Sequence, residues 1–290
     1  MFSPRIALAA FFGGCLALAL AAGPAQEAAT VRAEPVAGSI SVLFGEGGNI
    51  GVSSGADGIL IVDGQFERLA PEIEQALAKL AQDPARAAPR FLVNTHHHDD
   101  HTDGNKRFGK VAVVVAHENV RKRMEAANAP AQALPVVTYG EGGASLHWNG
   151  EEVRLIHVPS GHTDGDTAVW FTGSKVVHLG DLYFQAGYPF IDTGAGGNVL
   201  GMIEGLRALL GELPADVRIV PGHGVVTGRE GLEEYLTMLE SITERVRERL
   251  EKDVAAMLAA GVTRDFDERW GKSAFVTPER FVRSVVASLR

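Results

Sequence analysis

The chain has 290 residues, of which 46% are hydrophobic, and it carries a formal net charge of −9 at neutral pH. This length suits one large α/β domain, or two half-domains that share a core. The negative charge argues against an enzyme that tracks nucleic-acid phosphates, because such enzymes usually carry a basic face. We therefore expect a small-molecule substrate and no nucleic-acid partner.

Residues 1–25 have the pattern of a secretory signal peptide. Arg5 gives a short positive start, residues 6–22 are apolar, and the small residues at 21–25 suit cleavage. Cleavage would give a periplasmic or secreted protein with no stable membrane anchor. The alternative is a retained anchor, since the apolar run is nearly long enough to span a bilayer. The only cysteine, Cys15, lies in this run, so the mature protein would have no disulfide and no thiolate metal ligand.

Residues 26–38 predict a loose leader, and residues 39–290 predict the globular domain. The first half of this domain has β-type runs at 39–44, 49–53, 58–63, 90–95 and 111–116 and helical patterns at 69–80 and 118–127. The second half repeats the plan, with strands near 144–148, 151–158, 166–171, 175–180 and 217–220 and a helix near 199–211. A long helix is expected over about 230–260 and a short one over 278–289. Two halves that each run from strands to helix predict an α/β fold.

Six consecutive positions, 96–101, hold four histidines and two aspartates. Such a cluster is costly to bury unless something binds it. Imidazole and carboxylate are ligands that zinc accepts, in sites that keep an open position for water. The run follows a predicted strand, so His96 and His98 point the same way in extended chain and can reach one metal ion. Asp100 and His101 follow as the chain turns, and they can serve a second.

Three further candidate ligands also follow predicted strands. The local sequences are Gly-His-Thr around His162, Leu-Gly-Asp ending at Asp181, and Pro-Gly-His-Gly around His223. A glycine beside each candidate permits a tight turn and a close approach of the backbone. Four side chains are too few to close two metal sites, so these loops are expected to supply the rest.

The ordered motifs His-x-His-x-Asp-His, Gly-His-Thr, Leu-Gly-Asp and Pro-Gly-His-Gly resemble those of the metallo-β-lactamase superfamily. The resemblance runs from about Ser39 to the long helix after Gly228. It implies a four-layer αββα sandwich and an enzyme with two zinc ions per chain. It also implies that one zinc binds His96, His98 and His162, that the second binds Asp100, His101 and His223, and that Asp181 bridges the two.

Residues next to these ligands have open interpretations. His97 lies between two expected ligands, so its side chain should point away from the metals. Asp63 and Asp99 each suit a hydrogen bond to a ligand imidazole, and a turn role is the alternative for Asp63.

Three residues are candidates for contact with the substrate. Tyr183 and Phe184 follow Asp181 closely, and aromatic side chains beside a metal site are expected to form an apolar wall for substrate. Ordinary core packing is the alternative for both. Asn198 lies in a glycine-rich loop that leads into a helix, where it suits an N-cap or a position facing the substrate.

We predict an exported dinuclear zinc hydrolase that cleaves a small-molecule ester, lactone, thioester or amide, with a small apolar substrate favoured. A metal-bound hydroxide would attack the carbonyl carbon, because bound metal lowers the pKa of water to about 7. Asp100 would orient the water and shuttle its proton.

Two alternatives belong to the same superfamily. The first is a β-lactamase, although the familiar β-lactamases of the superfamily carry cysteine or serine at the place of Asp181, and many carry lysine at the place of Phe184. The second is an oxidoreductase that resembles the persulfide dioxygenases, which use one iron held by two histidines and an aspartate.

Overall fold

The first sheet contains seven strands, in the order in which they occur along the chain. The structure is a computed structural model that describes Met1 and residues 31–290. The strands are β1 Arg32–Ala37, β2 Ile40–Phe44, β3 Ile50–Gly55, β4 Gly58–Val62, β5 Pro89–Val93, β6 Val113–His117 and β7 Val137–Tyr139. The pairs from β1 to β4 are antiparallel and those from β4 to β7 are parallel. The hairpin turn at Gly38 uses a positive φ of 55°, which glycine adopts without strain.

The second sheet contains six strands in the order β13-β12-β11-β10-β9-β8. They are β8 Ala144–Trp148, β9 Glu151–Val158, β10 Asp166–Phe171, β11 Val176–His178, β12 Arg218–Val220 and β13 Thr227–Gly228. Only the β11–β12 pair is parallel among the pairs of this sheet. Its crossover carries a helix, because parallel neighbours need a long connection.

Nine α-helices are assigned within the described residues. They are α1 Ala70–Leu80, α2 Asp99–Thr102, α3 Asn105–Phe108, α4 Glu118–Ala126, α5 Val199–Glu212, α6 Arg229–Arg247, α7 Val254–Ala259, α8 Arg264–Trp270 and α9 Pro278–Leu289. No helix among the described residues combines the length and the apolar character needed to cross a membrane.

The two sheets pack face to face, with helices on both outer faces. Val42 and Val93 of the first sheet share one buried cluster with Val169 and Phe171 of the second. Ile73 and Leu77 of α1 and the residues around them cover the outer face of the first sheet. Helices α5, α6 and α9 cover the outer face of the second sheet through a larger cluster. Burial of each such side chain stabilises the fold by about 1.5–3 kcal/mol relative to exposure. The layers follow the order helix, sheet, sheet, helix, so the predicted αββα sandwich is confirmed.

Two predicted segments are wrong in part. The leader expected at 26–38 ends in a strand, because residues 32–37 pair with β2 as an edge strand. An edge position and a shift of register tolerate Pro35, which has no N–H to donate. The helix expected over 230–260 ends at Arg247, and a new helix begins where the Asp253 side chain accepts a hydrogen bond from the Ala256 N–H. Apart from Met1, the predicted signal peptide 1–25 lies outside the described residues.

Candidate metal centre

The predicted ligands come together at one edge of the sandwich, where strands of both sheets end. The run 96–101 follows β5, and His98 occupies the position before α2. His162 lies in the loop between β9 and β10. Asp181 lies in a short 3₁₀ turn after β11, and His223 follows β12. Side chains that are up to 127 positions apart in sequence therefore meet because the sheet topology places their loops side by side.

The first group consists of His96, His98, His162 and Asp181, whose ligand atoms all lie within 4.8 Å of one another. The Nε2 atom of His162 lies 2.8 Å from Nδ1 of His98 and 3.6 Å from Oδ2 of Asp181. His96 Nε2 lies 3.9 Å from the same Oδ2 atom. We call these four residues the inner group.

The second group consists of Asp100, His101 and His223, which also lie within 4.8 Å of one another through their ligand atoms. His223 Nε2 is 3.1 Å from Oδ2 of Asp100. His101 Nε2 lies 3.1 Å, and His223 Nε2 3.5 Å, from Oδ1 of Asp181. We call these three residues the outer group. Asp181 thus faces the inner group with one oxygen and the outer group with the other.

Several buried polar atoms at this centre have no hydrogen-bond partner among the described residues. They are Nε2 of His96, Nε2 of His101 and Oδ1 of Asp181. Buried polar groups nearly always have a hydrogen-bond partner, so these three atoms, which point toward one another, need a further binding partner. A nitrogen-rich set with one shared carboxylate is the donor set that a divalent transition metal accepts. The residues present therefore fit a metal ion in each group.

The charges of the centre favour metal ligation by the inner histidines. Burial lowers the pKa of His96 well below its usual value and lowers that of His162 to about 4, so both are neutral at pH 7. Burial would raise the pKa of Asp181, but His223 and His101 hold it well below its ordinary value. Neutral imidazole and ionised carboxylate are the forms that bind metals.

Hydrogen bonds to the second ring nitrogen orient the inner histidines. His96 Nδ1 donates to Thr95 Oγ1 at 3.0 Å, and this hydroxyl donates to Asp63 Oδ2 at 2.7 Å. His162 Nδ1 donates to the Phe190 carbonyl oxygen at 2.6 Å. Such partners fix the ring orientation and the tautomer of a ligand histidine.

Asp63 also supports the outer group. Its Oδ2 atom accepts a hydrogen bond from His101 Nδ1 at 2.8 Å, and its Oδ1 atom accepts one from the Thr95 N–H. The fully buried Asp63 side chain thus holds one histidine of each group. The structure therefore favours the prediction that Asp63 supports a ligand imidazole over the alternative of a turn role. Asp99 is exposed in the first turn of α2 and is not a member of the inner or the outer group.

Asp192 is a supporting residue that the sequence did not reveal. Its Oδ2 atom accepts a hydrogen bond from His98 Nε2 at 2.9 Å. The two residues are 94 positions apart, and no motif or periodicity links them. His97 is not a member of the inner or the outer group, but its ligand atom lies within 4.8 Å of those of His98 and Asp192.

Close packing of glycines brings the backbone against the ligands. A Cβ atom at Gly222 would lie 2.0 Å from Asp181 Oδ1, and one at Gly48 would lie 2.1 Å from Cε1 of His101. Any side chain at either position would displace a ligand.

A cavity of about 580 Å³ opens onto both groups and is lined by His98, Asp100, Asp181, Phe184, Ala186, Gly187, Tyr188, Phe190, His223, Gly224, Ser273, Phe275 and Val276. Phe184 is one of the lining residues, and its ring stacks on the His223 ring at 5.5 Å between centroids. The sequence did not single out Phe275, because its segment has no periodic pattern and reaches the cavity only through the fold.

Two predicted substrate contacts are wrong. Tyr183 is fully buried, packs against the Tyr235 ring at 5.0 Å and does not line the cavity. Neighbouring positions after the turn face opposite ways, so Phe184 reaches the cavity and Tyr183 reaches the core. Asn198 caps α5 by accepting a hydrogen bond from the Leu200 N–H, and it also lies outside the cavity lining.

Known proteins resemble this chain in sequence. The hydroxyacylglutathione hydrolase of Rhodospirillum rubrum is 33% identical over 132 residues, which cover 46% of this chain and 47% of the relative. The hydroxyacylglutathione hydrolase of Methylococcus capsulatus is 27% identical over 218 residues, which cover 70% of this chain and 78% of the relative. This chain spans about half the length of the first relative.

Solved structures resemble this chain in fold. A metallo-β-lactamase from Pontibacter korlensis matches with a TM-score of 0.62 and 17% identity, over 73% of this chain and 99% of that one. The DIM-1 metallo-β-lactamase matches with a TM-score of 0.63 and 19% identity, over 74% of this chain and 99% of that one. A sequence model of the metallo-β-lactamase superfamily matches residues 45–223, which include every predicted ligand. The chain therefore belongs to the metallo-β-lactamase superfamily.

Proposed function

We propose that the chain is a dinuclear zinc hydrolase that cleaves a small-molecule thioester, ester, lactone or amide. The observation that carries the proposal is the position of Asp181, whose two oxygens face two separate groups of ligands. One carboxylate between two nitrogen-rich groups suits a pair of metal ions. Sequence similarity to two hydroxyacylglutathione hydrolases, which cleave a thioester, supports hydrolysis as the reaction class.

In the proposed enzyme, His96, His98 and His162 hold one zinc, Asp100, His101 and His223 hold the other, and Asp181 serves both. Bound zinc supplies an activated water and a Lewis acid for the substrate carbonyl. The protein orients the metal ligands and transfers the proton of the attacking water.

Asp100 is suited to the proton transfer. Burial would raise its pKa, but His101 and His223 lower it, so the carboxylate is ionised at neutral pH. Its side chain is 32% exposed and lines the cavity. One oxygen can therefore accept the proton of the attacking water and pass it to the leaving group.

Metal analysis with a substrate panel tests the proposal. We expect about two zinc ions per chain, loss of activity on chelation and its return on addition of zinc. The panel should contain a thioester, an aryl ester, a lactone, a penicillin and a carbapenem. The variant His147→Ala should keep both its zinc content and its activity, because this histidine is exposed on β8, outside both groups.

Other results would contradict the proposal in distinct ways. A single iron with no zinc would favour the dioxygenase alternative. Penicillin or carbapenem turnover above about 10⁴ M⁻¹s⁻¹, within the ordinary enzyme range, would favour the β-lactamase alternative. The second outcome would be surprising, because no lysine or arginine lines the described cavity to bind the carboxylate of the drug.

We also propose that the protein is exported. Arg5 and the apolar residues 6–22 support a cleaved signal peptide. N-terminal sequencing of the protein from its native host should give a start at residues 22–26. An intact Met1 in soluble cytosolic protein would refute export.

A further inference from the structure

One wall of the cavity is aromatic and lies directly against the candidate metal ligands. It is formed by Phe184, Phe190 and Phe275, which we call the aromatic wall. Phe184 stacks on His223 of the outer group with an interplanar angle of 15°. Phe190 packs edge-on against His162 of the inner group at 5.7 Å. The apolar surface therefore begins where the metal ligands end.

Phe275 extends this wall to the mouth of the cavity. Its ring packs edge-on against Phe190 at 5.6 Å, while 61% of the residue is exposed. The exposed Phe275 ring is therefore continuous with the apolar rings inside the cavity, and contiguous apolar surface of this kind can mark a ligand-binding groove. The wall thus continues from the ligands to solvent, along the path that a substrate would take.

The same cavity offers no cationic side chain to a substrate. Apart from Tyr188, its ionisable lining residues are His98, Asp100, Asp181 and His223, and all four belong to the metal groups. Arg280 is close by, but its guanidinium covers the Phe190 and Phe275 rings at 4.6 and 4.4 Å and donates to the Phe275 carbonyl oxygen. It is not among the lining residues.

Charge then separates two classes of substrate. A glutathione thioester has two carboxylates and one ammonium in its thiol part, and each carboxylate that loses water without a partner is costly. An uncharged aryl or alkyl group loses nothing on desolvation, and it gains about 25 cal/mol for each Å² of apolar surface buried.

We propose that this cavity selects thioesters or esters whose group beside the metal centre is uncharged and apolar, and that it discriminates against glutathione conjugates. This inference rests on the proposed hydrolase function and names its substrate class. It separates this chain from the hydrolases that it resembles in sequence, whose names specify glutathione. The aromatic wall is the specificity-determining surface.

The test compares two butanoyl thioesters, one of benzyl mercaptan and one of glutathione, on the zinc-loaded full chain. Both leaving groups are primary alkyl thiols, so the charge and the apolar surface of the thiol part are what differ. We expect kcat/KM for the benzyl thioester to exceed that for the glutathione thioester by about tenfold or more, a typical range for pocket discrimination. Equal values, or a preference for glutathione, would overturn the inference and leave the hydrolase proposal intact.

A binding measurement keeps the two proposals distinguishable if neither thioester is cleaved. Benzyl butyl sulfide and S-butylglutathione are the matching thioethers, which cannot be hydrolysed. Ligand-observed NMR should show that the sulfide binds more tightly by about the same factor. Tighter binding of S-butylglutathione would overturn the substrate class. Lack of cleavage of the whole panel, together with preferred binding of the sulfide, would reject the hydrolase function alone.

Variants locate the selectivity. Phe275→Arg places a cation at the cavity mouth and removes part of the wall, so it should reduce the preference for the benzyl thioester by about tenfold. Val136→Arg is the matched control, because it adds the same charge at an exposed valine beside β7, outside the cavity lining. Arg280→Gln tests the competing role of that arginine. A specific loss of glutathione thioester cleavage in Arg280→Gln would show that Arg280 binds the carboxylates, and it would overturn the inference.

Discussion

The inner and outer groups use the same kinds of side chain but hold them differently. Every inner histidine has its second nitrogen fixed, through Thr95, Asp192 or the Phe190 carbonyl. In the outer group, His101 is fixed by Asp63, whereas the His223 ring rests on Phe184, with no hydrogen bond to its Nδ1 among the described residues. His223 and Asp100 of the outer group are also 35% and 32% exposed, against 22% for His98, the most exposed inner histidine. His101 is as buried as His96 and His162.

This difference assigns different tasks to the two groups. Preorganised ligands lose less conformational freedom on binding, so the inner group should bind metal more tightly. Both groups line the cavity, where substrate and water arrive, and Asp100 and His223 of the outer group are its most exposed ligands. The proposed enzyme would thus combine a firmly held ion with one placed for chemistry, and Asp181 would couple the two.

Asp181→Ala should have the largest effect, since it removes the carboxylate whose two oxygens face the inner and the outer group. We expect metal content to fall to about one ion or fewer and kcat to fall by more than about a hundredfold, beyond the 10–100-fold typical of supporting partners. Elemental analysis and steady-state kinetics measure both, and circular dichroism should show an intact fold. Two retained ions with near-normal turnover would contradict the bridging role.

Asp63→Asn should weaken both groups, because Asp63 supports His96 through Thr95 and His101 directly. We expect about 10–100-fold weaker binding of both ions, measured by competition with a chromophoric chelator. Asn tolerates the positive φ of 65° at this position, so the backbone should be retained. Asp216→Asn, on an exposed carboxylate paired with Lys175, is the isosteric control. If Asp63→Asn weakened the binding of only one ion, the result would argue against support of both groups by Asp63.

Asp192→Asn should affect the inner group alone. The amide oxygen can still accept a hydrogen bond from His98, but the neutral acceptor binds it less strongly than a carboxylate. We therefore expect the affinity for the tighter ion to fall by about tenfold, the lower end of the range for such partners, in the same chelator competition. Weakening of the looser ion instead would reverse the assignment of the two groups.

The smallest effect should come from a histidine pair outside both groups. His117 of the first sheet stacks on His157 of the second at 3.6 Å, and burial together with His157 lowers the pKa of His117 to about 4. Because the unfolded chain takes up this proton near pH 6.5, stability should be unaffected above that pH and should fall as pH decreases toward 4.

The variant His117→Asn tests this dependence. Asparagine keeps an acceptor at the start of α4, where His117 Nδ1 accepts a hydrogen bond from the Asn119 N–H. Urea unfolding of the zinc-loaded protein at pH 7 and pH 5 should show a smaller loss of stability in the variant than in the wild type. An identical loss in both would show that His117 does not contribute.

The features predicted from sequence are those with a local signal. Periodic apolar runs predicted most strands, and the 96–101 run with three Gly-flanked residues predicted a ligand set that the fold brings together. Residues that act across the fold carried no such signal. Asp192 and Phe275 reach the centre only because the fold brings distant loops together. The strand β1 was not predicted because Glu34 and Pro35 disfavour a strand, and its stability comes from pairing with β2.

The turn at 140–143 divides the domain into one half with the first sheet and another with the second. Each metal group draws on both halves: His96, His98, Asp100 and His101 precede the turn, while His162, Asp181 and His223 follow it. A bound ion would therefore act as a cross-link between the halves. These 290 residues contain a single cysteine and form no internal disulfide, so bound metal would add to the apolar contacts between the two sheets in resisting separation of the halves. Chelation should consequently speed proteolytic cleavage within the domain as well as stop the reaction.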